Sequence, residues 1–283
     1  MSTSATRIRA GAAALAAAGV LFLAYPALRP WHDEGTVAGA TASMSSAAWV
    51  TAHFFAMLAF ILMPLGLLAL RAALAATRVE PLALTAVVLA WIGSGLVLPY
   101  YGAEDFGLHA IAGAAGPRAG LLGLVHAVRY QPLAMTIFGT GLLLLAAAAI
   151  MAAIAVWRSH VLPRTSAVLF ATGMALFLPQ FFGPAAVRIA HGILLAAGSI
   201  ILAAALWASA GRPRAAVTPL ADRSSANVSH HRVAAAHLRP ATPVDVQRQE
   251  PARLRGHGPV RNSRFSVVRW GAHSRRPALA KRR

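Results

Sequence analysis

Six stretches of this chain are long and apolar enough to cross a lipid bilayer, at about 20 residues per crossing. They are residues 10–27, 46–70, 81–101, 132–157, 165–182 and 185–208. Ala, Leu, Val and Ile fill them without the alternation of barrel strands, and such continuity favours helices. Of the 283 residues 58% are hydrophobic and 12% charged, where an ordinary soluble domain carries about 25% charged. The sequence therefore predicts an all-α fold, a polytopic membrane helix bundle of about six transmembrane helices over residues 1–210. Its first partner is the lipid bilayer.

Charge is unevenly placed. Residues 1–210 hold ten arginines against five acids, whereas residues 211–283 hold fifteen arginines and Lys281 against three acids. The second region is Pro- and Arg-rich and lacks periodicity, so it reads as a disordered cytoplasmic tail near anionic lipid headgroups. Such a switch in composition is also what a shifted reading frame gives in a GC-rich gene. A pI near 12 invites a nucleic-acid reading, but only Phe265 and Trp270 supply aromatics there and no binding motif appears. No nucleic acid partner is expected. The absence of cysteine removes thiolate-ligated haem, iron–sulfur clusters, covalent c-type haem and disulfides.

Orientation follows from arginine placement. Arg7 and Arg9, Arg71 and Arg78, Arg158 and Arg164, and Arg212 and Arg214 fall on one side of a six-span chain. That puts both termini in the cytoplasm of a plasma membrane protein. The first span also has the basic start and apolar run of a signal peptide, though Tyr25–Arg29 offers no good cleavage site. Pro64 is placed to kink the second span. Gly93, Gly95, Gly139, Gly141 and Gly173 would let helices approach closely. Trp31, Trp49, Tyr100 and Tyr101 read as interfacial anchors.

Ionisable groups are costly in lipid and mark candidate sites. His53 lies ~10 Å from the outer edge of its span and His191 ~9 Å, at 1.5 Å per residue. Asp105 and His109 are spaced to share a helix face, with Glu104 adjacent, and His126, Arg129 and Tyr130 share another. Gln180 closes the fifth span. Arg188 opposes the dipole of the last helix, so a carboxylate such as Glu104 or Asp105 is its expected partner. Thr136 and Thr140 share a face of the fourth span. These groups fall in the outer half and predict an outward-facing polar and histidine-containing pocket.

The phrase Leu98-Pro-Tyr-Tyr-Gly-Ala-Glu-Asp-Phe-Gly-Leu-His109 resembles a stretch of multi-span bacterial membrane proteins. The resemblance implies an integral membrane protein and no particular activity. Four functions remain open. Haem b would need His53 and His191 as axial ligands. A zinc hydrolase would use Asp105, His109 and His126, helped by His53 or His191, with Glu104 as general base. A small-solute transporter or transporter subunit would use the Pro64 kink and the Thr136/Thr140 face. The last is a membrane subunit without chemistry of its own.

Overall fold

The computed structural model describes residues 3–114 and 120–211. These include Gly211 alone of the expected tail, and the breaker residues Gly116, Pro117 and Arg118 lie outside them. All secondary structure among the described residues is helical. Five helical stretches are long and apolar enough to cross a membrane. They are α1 (Thr3–Leu28), α3 (Ala47–Ala73), α4 (Glu80–Gly102) with its continuation to Gly113, α7 (Pro132–Ser159) and α9 (Ala185–Ser209). Short helices α2 (Val37–Met44), α5 (Leu108–Gly113) and α6 (Leu121–Arg129) fill the loops at one end.

The stretch expected as the fifth span is not one long helix. It is a 3-10 turn (Arg164–Ala167), the eight-residue α8 (Val168–Ala175) and a second 3-10 turn (Pro179–Phe182). The break leaves a carbonyl without its helical partner. Leu176 N–H bonds Thr172 O and Phe177 N–H bonds Met174 O, which passes over Gly173 O. His191 Nε2–H takes that carbonyl at 2.8 Å. An unpaired backbone group in an apolar interior costs several kcal/mol, so the imidazole makes the break tolerable.

Neighbouring passes run antiparallel. Cβ atoms built on Gly11 and Gly66 would meet Ala69 and Leu15, which pairs α1 with α3. Gly19 against Ser199 pairs α1 with α9, and Gly173 against Leu195 pairs α8 with α9. Ser94 Oγ donates to Phe60 O at 2.9 Å between α4 and α3. A reciprocal close crossing joins α4 and α7. A Cβ on Gly93 would lie 2.8 Å from Gly141 O, and one on Gly141 would lie 2.9 Å from Gly93 O. Here the small residues do what their sequence positions predict, whereas Gly95 and Gly139 face open space. Pro64 lies inside α3, and the helix continues through it.

Two apolar clusters result. The larger runs through the long helices and contains Phe22, Phe60 and Phe177. The smaller gathers Ala40, Met44, Leu108, Leu121 and Val125 around Trp49, beneath the short helices. Trp49 is wholly buried and Tyr101 nearly so. Neither is the interfacial anchor expected from sequence, because α2, α5 and α6 cover that end.

Candidate functional site

The polar groups converge where α1, α3, α4 and α7 meet these short helices. Tyr25, near the end of α1, and His53, in the second turn of α3, point inward. At the end of α4 the chain widens into a π-helical turn, Ala103–Gly107. Such turns insert an extra residue and often lie at functional sites. This one buries both Glu104 and Asp105.

Glu104 belongs to a four-residue ionic network. Arg129 donates Nε to Glu104 Oε1 at 2.7 Å and Nη2 to Oε2 at 3.0 Å, a bidentate pair. Its Nη1 reaches Glu34 Oε2 at 2.7 Å, and Arg29 Nη2 reaches Glu34 Oε1 at 2.6 Å. Burial opposes the charge on Arg129, but the adjacent Glu104 and Glu34 carboxylates hold its pKa above the ordinary arginine value. Trp49 supports the network from below. Its ring lies 4.7 Å from the Arg29 guanidinium and 5.7 Å from that of Arg129, and its indole N–H donates to Glu104 O at 2.9 Å.

Beside this network is a cavity of about 310 Å³. Arg29, Glu34, Glu104, Arg129 and Arg188 supply its charges, and Tyr25, His53, Tyr101, Phe138 and Phe181 its buried and half-buried walls. His53 Nδ1–H donates to Trp49 O at 2.8 Å, so in the neutral ring Nε2 is the acceptor. The Tyr101 hydroxyl is buried and makes no hydrogen bond of standard geometry. Below the cavity, Phe22, Phe60 and Phe177 pack with centroids 5.0, 5.2 and 5.7 Å apart. They pack against the lining residues Tyr101 and Phe181.

Arg188 is placed differently from the other two arginines. Its Nε donates to Gln180 Oε1 at 3.2 Å, and its guanidinium lies over Trp31 at 5.2 Å and Phe181 at 4.9 Å. The carboxylate partner expected from sequence is not there. Among the described residues the carboxylates of this cavity pair with Arg29 and Arg129 instead. The first turn of α9 adds its own positive dipole end to the same spot.

The other candidates are dispersed. His109 Nδ1–H donates to Met44 O at 2.8 Å, tying α5 to the end of α2. Asp105, one turn earlier, is fully buried and neither carboxylate oxygen has a hydrogen-bond partner. His126 lies on the exposed face of α6 against Tyr130. No group of three His, Cys, Asp or Glu among the described residues is placed to hold a metal ion. Asp105, His109 and His126 are thus not brought together as zinc ligands, and Glu104 is held by Arg129 rather than left as a base. His191 packs on Phe177 and uses Nε2 on Gly173, away from the cavity lining. That is the ring nitrogen a haem would need opposite His53. Thr136 and Thr140 face outward, and the Thr136 hydroxyl donates to Pro132 O at 2.9 Å. They line no path through the bundle.

A larger cavity of about 570 Å³ lies at the opposite end of α1 and α3. Its walls are mostly alanine and leucine, and two of its charges, Arg71 and Glu80, pair with each other. It has volume without converging polar groups. Comparison of the chain with protein families, with curated proteins and with solved structures gives no match, so the reading of the site rests on its geometry.

Proposed function

We propose that the chain is a plasma membrane protein crossing the bilayer six times, with both ends of its helical unit cytoplasmic and an anion-binding site at its outer end. The sixth crossing is the broken pass 164–182. Its support is the direction of the chain: α7 and α9 run the same way, so the segment between them must return across the bundle. Support for the orientation is the arginine pairs that flank the opposite end.

Arg188 carries the binding reading. It is a guanidinium lining a cavity, held by a neutral amide and two aromatic faces. The cavity's lining holds three arginines against two glutamates, one positive charge in excess. An incoming carboxylate or phosphate would supply the missing counter-charge through charge-assisted hydrogen bonds. The packed rings of Phe22, Phe60 and Phe177 beside the lining favour binding over passage.

Two measurements test this. Because the chain has no cysteine, single cysteines report topology cleanly. His32→Cys and Pro184→Cys should react with an impermeant thiol reagent on intact cells, and Ala76→Cys and Arg158→Cys only after permeabilisation. Equal labelling of Arg158→Cys and Pro184→Cys would remove the sixth crossing. For the site, inorganic phosphate or glycerol phosphate should change the tryptophan emission of the purified protein saturably through Trp31. Arg188→Gln should weaken that binding about tenfold, as loss of a charged hydrogen bond predicts. An unsaturable response, identical in Arg188→Gln, would sink the anion site.

A further inference from the structure

The cavity is closed on one side and open on the other. Tyr25, His53 and Tyr101 on α1, α3 and α4 are buried. The opposite wall is the start of α7 and the 3-10 turn Pro179–Phe182. There two lining side chains lie open, Met135 at 40% exposure and Phe182 at 88%, beside the covered rings of Phe138 and Phe181, which meet at 5.6 Å. Gly139, one turn beyond Met135, lines the same wall, and a Cβ built on it would meet nothing within 4 Å. The surface continues apolar along α7 to Leu143, one turn beyond Gly139 and exposed. On a membrane helix bundle such a flank faces acyl chains.

The two halves of the cavity therefore ask for different chemistry. The inner half presents an uncompensated guanidinium, two carboxylates and tyrosine rings. The opening presents a thioether, a glycine gap and a phenylalanine. A water-soluble anion matches only the first. The volume, at the small end of ligand pockets, suits a headgroup with its chains left outside along α7. A guanidinium fork matches phosphate geometry, and a single excess positive charge matches a single negative one.

Resting on the anion-site reading above, we infer that the occupant is a membrane lipid with a monoanionic phosphodiester headgroup. It is admitted sideways from the outer leaflet between α7 and the Pro179–Phe182 turn. The phosphate meets Arg188, the headgroup hydroxyls face Glu34 and Glu104, and the chains lie against Met135, Gly139 and Phe182.

Native mass spectrometry of the full chain in detergent tests this with three probes: phosphatidylglycerol, phosphatidylcholine and the deacylated headgroup glycerophosphoglycerol. Phosphatidylglycerol should be retained about tenfold over phosphatidylcholine, the ratio expected for one charged contact. Arg188→Gln should weaken both phosphatidylglycerol and the deacylated headgroup. Gly139→Leu, which fills the gap, should weaken phosphatidylglycerol and leave the deacylated headgroup unchanged. Phe182→Gln, at an exposed position, removes apolar surface without adding charge, should do the same and keeps the test open if Gly139→Leu fails to fold. Equal retention of the two lipids, or indifference of phosphatidylglycerol to both gap variants, would overturn the lipid inference. The anion site would survive that result if the deacylated headgroup still depended on Arg188. Failure of every probe to bind would remove both readings.

Discussion

At the cavity end Arg129 meets two carboxylates through three hydrogen bonds, with 16% of its side chain exposed. At the opposite end Arg71 meets Glu80 through one contact of 2.6 Å, with 41% of its side chain exposed. The exposed contact is the shorter, but the surroundings differ. A buried charge that loses its partner is left uncompensated in a medium that solvates it poorly, whereas an exposed one finds water. The first arrangement fixes geometry around a cavity. The second decorates a surface. Length of contact therefore says little here about which arginine matters.

That contrast can be broken or sharpened by substitution. The largest effect should fall in the long helices that join the two ends. Gly93→Leu drives a side chain into the Gly141 carbonyl, so the α4–α7 crossing must separate, and loss of folded protein in size-exclusion chromatography is expected. A monodisperse, fully helical variant would show that the crossing is looser than its geometry. Next comes the ionic pair. Glu104→Gln should lower stability by about 3 kcal/mol, the scale for a broken buried pair, and Glu80→Gln by under about 1 kcal/mol. Thermal melts followed by tryptophan fluorescence would compare them. Equal losses would abolish the distinction between the two ends. An effect between those of Glu104→Gln and Glu80→Gln is expected at His191→Phe, which keeps the packing on Phe177 but strands the Gly173 carbonyl. It should cost about 1–3 kcal/mol, with hydrogen exchange rising in α8 before α9. Unchanged exchange would deny the imidazole its role at the break.

Much of this was legible in the sequence. Apolar runs of bilayer length mark the long helices because lipid tolerates little else. The gathering of the polar groups toward one end follows because charge is rare in such runs and stands out. Pairings were harder to see. Glu34, Glu104 and Arg129 sit on three segments far apart in sequence, and nothing local in any of them announces the others. The loop Arg29–Glu34, with Arg29, Asp33 and Glu34 around Trp31, was the available signal. Thr136 and Thr140 illustrate a different limit. Their spacing shows that they share a face, but spacing alone does not say whether the face turns inward. The broken pass was hidden because Val168–Ala175 and its flanks are as apolar as a continuous helix, and the carbonyl that marks the break is satisfied by a histidine 18 residues away.

The bond between His191 and Gly173 has a mechanical side. It clamps α8 to α9 near the level of the cavity, and Gln180 and Arg188 grip each other just above. The two segments are thus tied at two levels, and α9 is held in turn against α1 where Gly19 meets Ser199 and Gly192 meets Pro26. The guanidinium that faces the cavity is therefore moored to the bundle through a carbonyl, an amide and a close helix crossing rather than through an opposite charge.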